Sequence, residues 1–145
     1  MRLRHVAMLM LLLFMTGCAT TEQAAIPGMS YPNSHTTYDM QFAWKSAMGQ
    51  ADITISGTMK NQSYYYITEP ELTAALLDRD GRIIAQGTFI FFPHQMALDE
   101  TAPFVVRIPL TEGQIPDRIR FTYRYRLAEE GRSGAPRFHS FDANP

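Results

Sequence analysis

The residues of this chain that could support catalysis or metal binding are few, and they lie far apart in the sequence. After the first 17 residues the histidines are His35, His94 and His139, with no His-x-His or His-x-x-x-His spacing. A metal site needs several ligands that converge on one point, and nothing near these histidines supplies them. We therefore predict surface histidines, with no metal site and no cofactor.

One short segment contains the residue types of a hydrolase triad, namely His139, Ser140 and Asp142. A triad is defined by its geometry, and immediate neighbours in a polar tail cannot usually form one. The sequence also lacks the G-x-S-x-G and S-x-x-K patterns of common nucleophiles. Residues 78–81 lack the downstream ligands of a calcium loop, and a hairpin turn explains them. We predict no catalytic residues and a protein that is not an enzyme.

A run of tyrosines could instead form a surface for a partner. Tyr64, Tyr65 and Tyr66 are consecutive, so on a strand at least one ring must point away from the core. Exposed tyrosines are common in protein interfaces. The alternative is ordinary sheet packing, with cross-strand aromatic pairs.

A row of arginines is the second candidate surface, and it consists of Arg118, Arg120, Arg124 and Arg126. On one face of a strand the nearest of these side chains lie ~7 Å apart. Such a row could meet an anionic surface or an acidic partner protein. The alternative is a solvated outer face that acidic residues on the next strand partly neutralise.

The single cysteine, Cys18, stands at the end of a secretory signal. Arg2 and Arg4 precede an apolar run of roughly 10 residues, which is much shorter than the ~20 residues that span a bilayer as a helix. The sequence Met15-Thr16-Gly17-Cys18 resembles the lipobox of bacterial lipoproteins, in which a bulky apolar residue and two small ones precede a cysteine.

The lipobox resemblance implies a lipid anchor. By this resemblance, a diacylglyceryl group is transferred to the Cys18 thiol, the chain is cleaved after Gly17, and the new amino terminus is acylated. One acyl chain gives only marginal membrane binding, so several chains imply firm attachment. Ala19 stands where an Asp retains many lipoproteins in the inner membrane. The resemblance therefore implies a protein that faces the periplasm, with the outer membrane favoured over the inner membrane.

The charge balance argues against a nucleic-acid partner. The full chain has 13 basic and 14 acidic residues, and removal of residues 1–17 leaves 11 basic residues against 14 acidic ones. Nucleic-acid-binding domains are normally strongly basic. Because the chain has no second cysteine, it lacks the intrachain disulfide bond that stabilises many small exported domains. The stability of the domain must therefore come from an apolar core.

Composition and periodicity divide the chain into four segments. They are a signal peptide over residues 1–17, a lipidated flexible tether over 18–39, a folded domain over 40–128 and a polar tail over 129–145. Within the folded segment, apolar and polar residues alternate with a period of two, which indicates half-buried strands. The clearest alternation places Ile119, Phe121, Tyr123, Tyr125 and Leu127 on one face.

The number and spacing of the strands predict the fold class. Residues 71–77 are ambiguous because Ala and Leu also favour helix, but the turn that ends in Gly81 indicates a tight hairpin, so we predict a strand. A polar connection over 93–103 is long enough to cross between sheets. Six or seven short strands in about 90 residues predict a small immunoglobulin-like antiparallel β-sandwich. A small barrel is the alternative.

Part of this domain resembles the FxLYD type of immunoglobulin-like domain, which is found on exported and membrane-attached bacterial proteins. The resemblance lies between residues 51 and 109, in the segments 57–63, 76–81 and 93–104. Leu76, Asp78 and Gly81 match the pattern F-x-L-Y-D-x-x-G, while Ala74 and Leu77 replace its two aromatic residues. The resemblance implies the fold and no activity, since the family has no known catalytic residues to transfer.

The sequence as a whole predicts a non-catalytic envelope lipoprotein. Its sandwich is expected to mediate protein–protein interaction or to play an accessory structural role at the membrane. The expected partners are the membrane, through the lipid anchor, and another envelope protein. The alternative is a small-ligand or glycan-binding module of the cell envelope. A clustered aromatic pocket would favour that alternative, whereas an extended tyrosine and arginine face would favour protein binding.

Overall fold

The structure is a computed structural model, and it describes residues 31–92, 94–129 and 132–145. The described residues form ten strands: β1 (Asn33–Thr36), β2 (Met40–Met48), β3 (Asp52–Asn61), β4 (Tyr66–Leu77), β5 (Ile83–Ile90), β6 (Gln95–Met96), β7 (Thr101–Pro109), β8 (Arg118–Glu129), β9 (Arg132–Ser133) and β10 (Arg137–Ala143). The predicted signal peptide, Cys18 and the first part of the predicted tether lie outside the described residues. A search of the described part finds no helix that is long and apolar enough to cross a membrane.

The strands form two antiparallel sheets. The first sheet has the order β1-β2-β3-β7, and the second has the order β10-β8-β4-β5, with β6 and β9 as short additions to β4 and β8. The sheets are separate rather than closed into a barrel, so the predicted all-β antiparallel sandwich is confirmed. The connection that follows β5 does cross between sheets, as predicted, because β5 lies in the second sheet and β7 in the first.

The core lies between the inner faces of the two sheets. The five apolar positions predicted for one face of β8 are all buried, and the arginines between them lie on the opposite face. Trp44 of β2 and Phe121 of β8 meet edge to face, with their ring centroids 5.0 Å apart. Phe89 of β5 and Phe104 of β7 join the sheets on the other side, at 6.3 Å. The period-two pattern therefore identifies the core face correctly.

The hairpin between β4 and β5 forms where the sequence predicts it. The ambiguous segment 71–77 belongs to β4, which pairs with both β5 and β8. In the turn, the Gly81 N–H donates to the Asp78 carbonyl at 3.0 Å, and the Asp78 carboxylate accepts the Arg82 N–H at 2.9 Å. Gly81 has a φ of 79°, a conformation in which a Cβ atom is costly.

The folded part extends beyond the predicted limits of 40–128 at both ends. Residues 33–36, which we predicted to lie in a flexible tether, form β1 against β2. Residues 137–143, which we predicted to lie in a polar tail, form β10 along β8. These two edge strands and the short β6 and β9 explain why ten strands are present where six or seven were predicted. Edge strands bury little: β10 contributes only Phe141 and Ala143 to the margin of the core.

Candidate functional site

One end of the sandwich carries a group of exposed aromatic and apolar side chains. It is the end at which β1 turns into β2 and β3 turns into β4. The group consists of Tyr38, Tyr64, Tyr65, Tyr66, Phe92 and Leu98, and we call it the tyrosine end. Tyr38, Tyr64 and Phe92 are 81%, 80% and 82% exposed. Exposed apolar groups of this kind are typical of interaction surfaces.

The structure exposes all three of the consecutive tyrosines. Tyr64 and Tyr65 lie in the turn before β4, and Tyr66 is the first residue of that strand. The next residue, Ile67, is fully buried, so Tyr66 lies on the outer face by alternation. The alternative of ordinary sheet packing is wrong for these residues, because two of them precede the strand and none is buried.

Asn61, the last residue of β3, shapes the turn that bears the tyrosines. Its side chain is fully buried, and its Nδ2 donates to the Tyr65 carbonyl at 2.9 Å. Its Oδ1 accepts the Ser63 N–H at 2.9 Å and the Ser63 hydroxyl at 2.7 Å. Because a buried amide must be hydrogen-bonded to be tolerated, these contacts favour one conformation of the turn. The side chains of Asn61 and Ser63 therefore hold the turn in place through hydrogen bonds within it.

Asn61 also bonds this turn to the neighbouring connection. Its Nδ2 lies 3.0 Å from the Ala97 carbonyl, and its own backbone accepts the Asp99 N–H at 3.1 Å and donates to the Glu100 carbonyl at 3.0 Å. The Gln62 N–H donates to the carbonyl of Asp39, which follows Tyr38, at 2.8 Å. The loops that carry the tyrosine end are thus bonded to one another. A surface arranged before binding loses less conformational entropy when a partner docks.

The four arginines of the predicted row lie on the outer face of the second sheet, and each is paired with an acidic side chain. The pairs are Arg118–Asp142 at 3.5 Å, Arg120–Asp142 at 2.7 Å, Arg124–Glu71 at 3.0 Å and Arg126–Glu69 at 3.2 Å. Asp117 is a further acidic neighbour of Arg118. Four basic groups therefore face four acidic ones. The row matches the alternative of a solvated face that acids neutralise, and its net charge gives no attraction for an anionic surface.

The pair of Arg120 and Asp142 is the best formed in this row. Arg120 donates to both carboxylate oxygens, from Nε at 2.7 Å and from Nη2 at 2.9 Å. These hydrogen bonds lower the pKa of Asp142 below its ordinary value, and the same contact raises the pKa of Arg120. Both side chains are partly exposed, so solvent screens the pair and it contributes little to stability.

A buried polar cluster lies close to the tyrosine end, and the sequence analysis did not predict it. Asp39 is 3% exposed and accepts a hydrogen bond of 2.5 Å from the Tyr125 hydroxyl and one of 3.1 Å from Arg137. His139 Nε2 lies 3.4 Å from the same hydroxyl oxygen. The cluster bonds the turn between β1 and β2 to β8 and to β10. It therefore fastens the C-terminal strand to the segment that carries Tyr38.

Burial controls the acid–base behaviour of the two tyrosines in this region. Burial, reinforced by the Asp39 carboxylate, raises the pKa of Tyr125 far above its ordinary value. Burial also raises the pKa of Tyr123, whose hydroxyl donates to Thr37 Oγ1 at 2.9 Å. Both hydroxyls therefore remain protonated donors. The signal that could have revealed the cluster is the inward position of both tyrosines, since a buried hydroxyl needs a partner.

The structure separates the residues of the hypothetical hydrolase triad. His139 stacks on Tyr123 on the inner side of β10, with ring centroids 5.2 Å apart. On the outer side, Ser140 lies 2.9 Å from Thr122 and Asp142 binds Arg120. In the described parts of the chain, no three His, Cys, Asp or Glu side chains lie close enough to hold a metal ion.

The histidines occupy different environments. His94 and His139 are exposed, as predicted. His35 is half-buried, and its ring stacks on Phe141 with a centroid distance of 3.8 Å. The prediction of a surface histidine is therefore wrong for His35, because the unpredicted strands β1 and β10 bring it against an aromatic ring.

Comparisons with known proteins find similarity in structure and no match in sequence. No protein family matches the chain, and no curated protein matches it. Among solved structures, the chain is similar to a β-glucuronidase from glycoside hydrolase family 2, with a TM-score of 0.40 and 10% sequence identity. The similarity covers 68% of this chain and 11% of that chain. No activity follows from a likeness at this level.

Proposed function

We propose that this protein is a non-catalytic, lipid-anchored envelope protein whose tyrosine end binds another envelope protein. The observation that carries the proposal is the tyrosine end itself, whose exposed side chains include those on the turn that Asn61 bonds to the connection before β7 and that Gln62 bonds to Asp39. Tyrosine rings supply a large contact area and a hydroxyl group at a low cost in conformational entropy. Interfaces between proteins are enriched in such residues.

The proposed anchor rests on the amino-terminal sequence. Met15-Thr16-Gly17-Cys18 follows an apolar run of signal-peptide length, and Cys18 is the residue that we propose to be acylated. Ala19 supports a place at the outer membrane, with the domain in the periplasm. The match of Leu76, Asp78 and Gly81 to the FxLYD pattern supports the same setting, because that family occurs on exported and membrane-attached proteins.

The glycan-binding alternative has less support from the shape of the surface. Binding of a small ligand usually requires a concave and partly apolar pocket. The six side chains of the tyrosine end are 43% to 82% exposed, so none of them is enclosed in a pocket. A depression at the opposite end of the sandwich is lined by residues 78–80, 84 and 113–117, none of which is aromatic. Protein binding is therefore the function that the surface favours.

The anchor is tested by the substitution Cys18→Ser in the full-length chain. We expect loss of lipid attachment and accumulation of the uncleaved precursor, because no other cysteine is present to accept the lipid. The measurement is incorporation of labelled palmitate, together with mobility on a gel. Normal acylation of the variant would contradict the lipoprotein assignment.

The binding surface is tested by replacing Tyr64, Tyr65 and Tyr66 with serine and crosslinking the full-length protein in intact envelopes. Loss of central aromatic contacts costs more than ~1 kcal/mol each in typical interfaces, so recovery of the partner should fall by about tenfold or more. The matched control replaces the four arginines of the row with glutamine, and we expect normal recovery. Unchanged recovery from the tyrosine variant would reject the tyrosine end as the interface.

A further inference from the structure

In the part of the chain that the structure describes, the two main strand orders end in four edge strands, and three of them are protected against pairing with another chain. Natural proteins protect exposed edges with prolines, charges or short strands. β1 has only four residues. β7 contains Pro103, Arg107 and Pro109, and β10 contains Arg137, His139 and Asp142.

The fourth edge, β5, carries none of these protections. Its eight residues read Ile-Ile-Ala-Gln-Gly-Thr-Phe-Ile, without a charge or a proline. Ile83 and Ile90, at its two ends, are each 59% exposed. Among the strands that the structure describes, β5 pairs only with β4. An uncharged edge of this length is a template for another strand.

The hydrogen bonds show which backbone groups of β5 face outward. The Phe91 N–H donates to the Pro70 carbonyl in β4 at 3.1 Å. Because the backbone groups of successive strand residues point in opposite directions, Gln86, Thr88 and Ile90 present their N–H and C=O groups to the open edge. The Ile84 carbonyl fits this pattern, since the Gln114 side chain donates to it at 2.7 Å from the loop before β8. That contact covers one end of the edge, at Ile84, and does not reach residues 86–90.

We propose that β5 pairs antiparallel with β5 of a second copy of this chain, which joins two second sheets into one continuous sheet. The open part of the edge is self-complementary: when Thr88 of one copy lies opposite Thr88 of the other, outward backbone groups meet on both strands. Gln86 of each copy then lies opposite Ile90 of the other, and the pairing does not involve Ile84, whose carbonyl Gln114 covers. Because β5 carries no charge, two copies of it meet without like-charge repulsion, and a symmetric dimer uses one patch twice.

The expected contact is weak in dilute solution, because pairing of one edge buries less area than a stable interface needs. Attachment of both copies to one membrane would raise their effective concentration, and this step alone rests on the proposed lipid anchor. The pairing itself depends neither on Cys18 nor on the tyrosine end. Its failure would therefore leave the proposed function unchanged.

The test uses two differently tagged full-length copies expressed together. A photo-crosslinking amino acid at Thr88 in one copy should give an adduct of twice the chain mass that contains both tags. The same probe at Thr58, on the outer face of the first sheet, should give none. Adding Ile90→Lys should reduce the Thr88 adduct severalfold, because charges on edges oppose pairing.

The matched control is Val105→Lys, which places the same charge at a residue that is also 59% exposed but lies on the protected edge β7. We expect no effect of this change on the Thr88 adduct. The proposal is overturned if the Thr88 probe gives no two-tag adduct, or captures only a different protein. It is also overturned if Val105→Lys reduces the adduct as much as Ile90→Lys does. Because the Thr88 and Thr58 probes do not depend on the lysine variants, a variant that fails to fold leaves the test decisive.

Discussion

Two neighbouring tyrosines on the inner face of β8 offer a matched comparison at the scale of single residues. Tyr125 donates to the buried Asp39 carboxylate, whereas Tyr123 donates to the neutral hydroxyl of Thr37. A hydrogen bond to a charged group contributes about 1.5–3 kcal/mol, and one between neutral groups about 0.5–1.5 kcal/mol. We therefore expect Tyr125→Phe to lower the free energy of unfolding more than Tyr123→Phe, as measured by urea denaturation. An equal or larger loss from Tyr123→Phe would contradict the assigned role of Asp39.

His35 gives the domain a dependence on pH. Burial against Phe141 lowers the pKa of His35 below its ordinary value of 6.5. The unfolded chain then binds the proton first, so stability falls as the pH drops through the ordinary pKa toward the lower folded value. We expect the melting temperature to decrease between pH 7.5 and pH 5.

The control for this prediction is His35→Phe, which keeps an aromatic ring beside Phe141 and removes the titration. The decrease between pH 7.5 and pH 5 should be smaller in this variant than in the natural chain. Carboxylates such as Asp142, with an ordinary pKa of 3.8, titrate below this window. An identical pH profile for both proteins would show that His35 does not couple folding to protonation.

At the scale of the strands, the contact between β2 and β8 joins the sheets. Trp44 and Phe121 are 4% and 1% exposed and meet at 5.0 Å. Truncation of either to alanine should cost about 3–5 kcal/mol of unfolding free energy, because it removes a large buried ring. Val105→Ala, on the outer face of β7, should change stability by less than ~0.5 kcal/mol. Denaturation curves that show no shift for Trp44→Ala and Phe121→Ala would place the core elsewhere.

The arginine row should matter little for folding. Its side chains lie on the outer face of β8 and pair with exposed or half-exposed acids such as Glu69 and Glu71. Exposed ion pairs contribute ~0–1 kcal/mol each. Replacing the four arginines with glutamine should therefore leave a cooperative fold with a modest decrease in melting temperature. A collapse of the fold would mean that these pairs are essential to the second sheet.

The strands that span the core were predictable, whereas the edge strands were not. The alternation along β8 predicts its buried face because one whole side of that strand must be apolar. β1 and β10 have no comparable signal: β1 has only four residues, and β10 presents mostly exposed side chains. Specific contacts, such as the ion pair of Arg137 with Asp39, help to hold these strands in place. Such contacts leave no periodic pattern of apolar residues in the sequence. The predicted tether therefore ends too late in the chain, at residue 39, because it includes β1. The predicted tail begins too early, at residue 129, because it includes β10.

At the scale of the whole molecule, the tyrosine end was only partly predictable. The run from Tyr64 to Tyr66 is visible in the sequence, and its exposure follows from the turn that precedes β4. Other segments bring the remaining side chains to the same end: Asn61 bonds to Ala97, which precedes Leu98, and Gln62 bonds to Asp39, which follows Tyr38. Phe92 follows Phe91, whose N–H donates to the Pro70 carbonyl. Such bonds depend on how the strands are ordered. The sequence therefore predicts candidate residues, and the fold assembles them into one surface.

We propose that the tyrosine end, and not the arginine face, contacts another envelope protein. The most direct measurement places a photo-crosslinking amino acid at Tyr64 of the full-length protein in intact envelopes and compares it with the same probe at Arg120. We predict that Tyr64 gives a discrete adduct with one other envelope protein and that Arg120 gives none. An adduct from Arg120 with none from Tyr64, or no adduct from either position, would contradict the proposed contact at the tyrosine end.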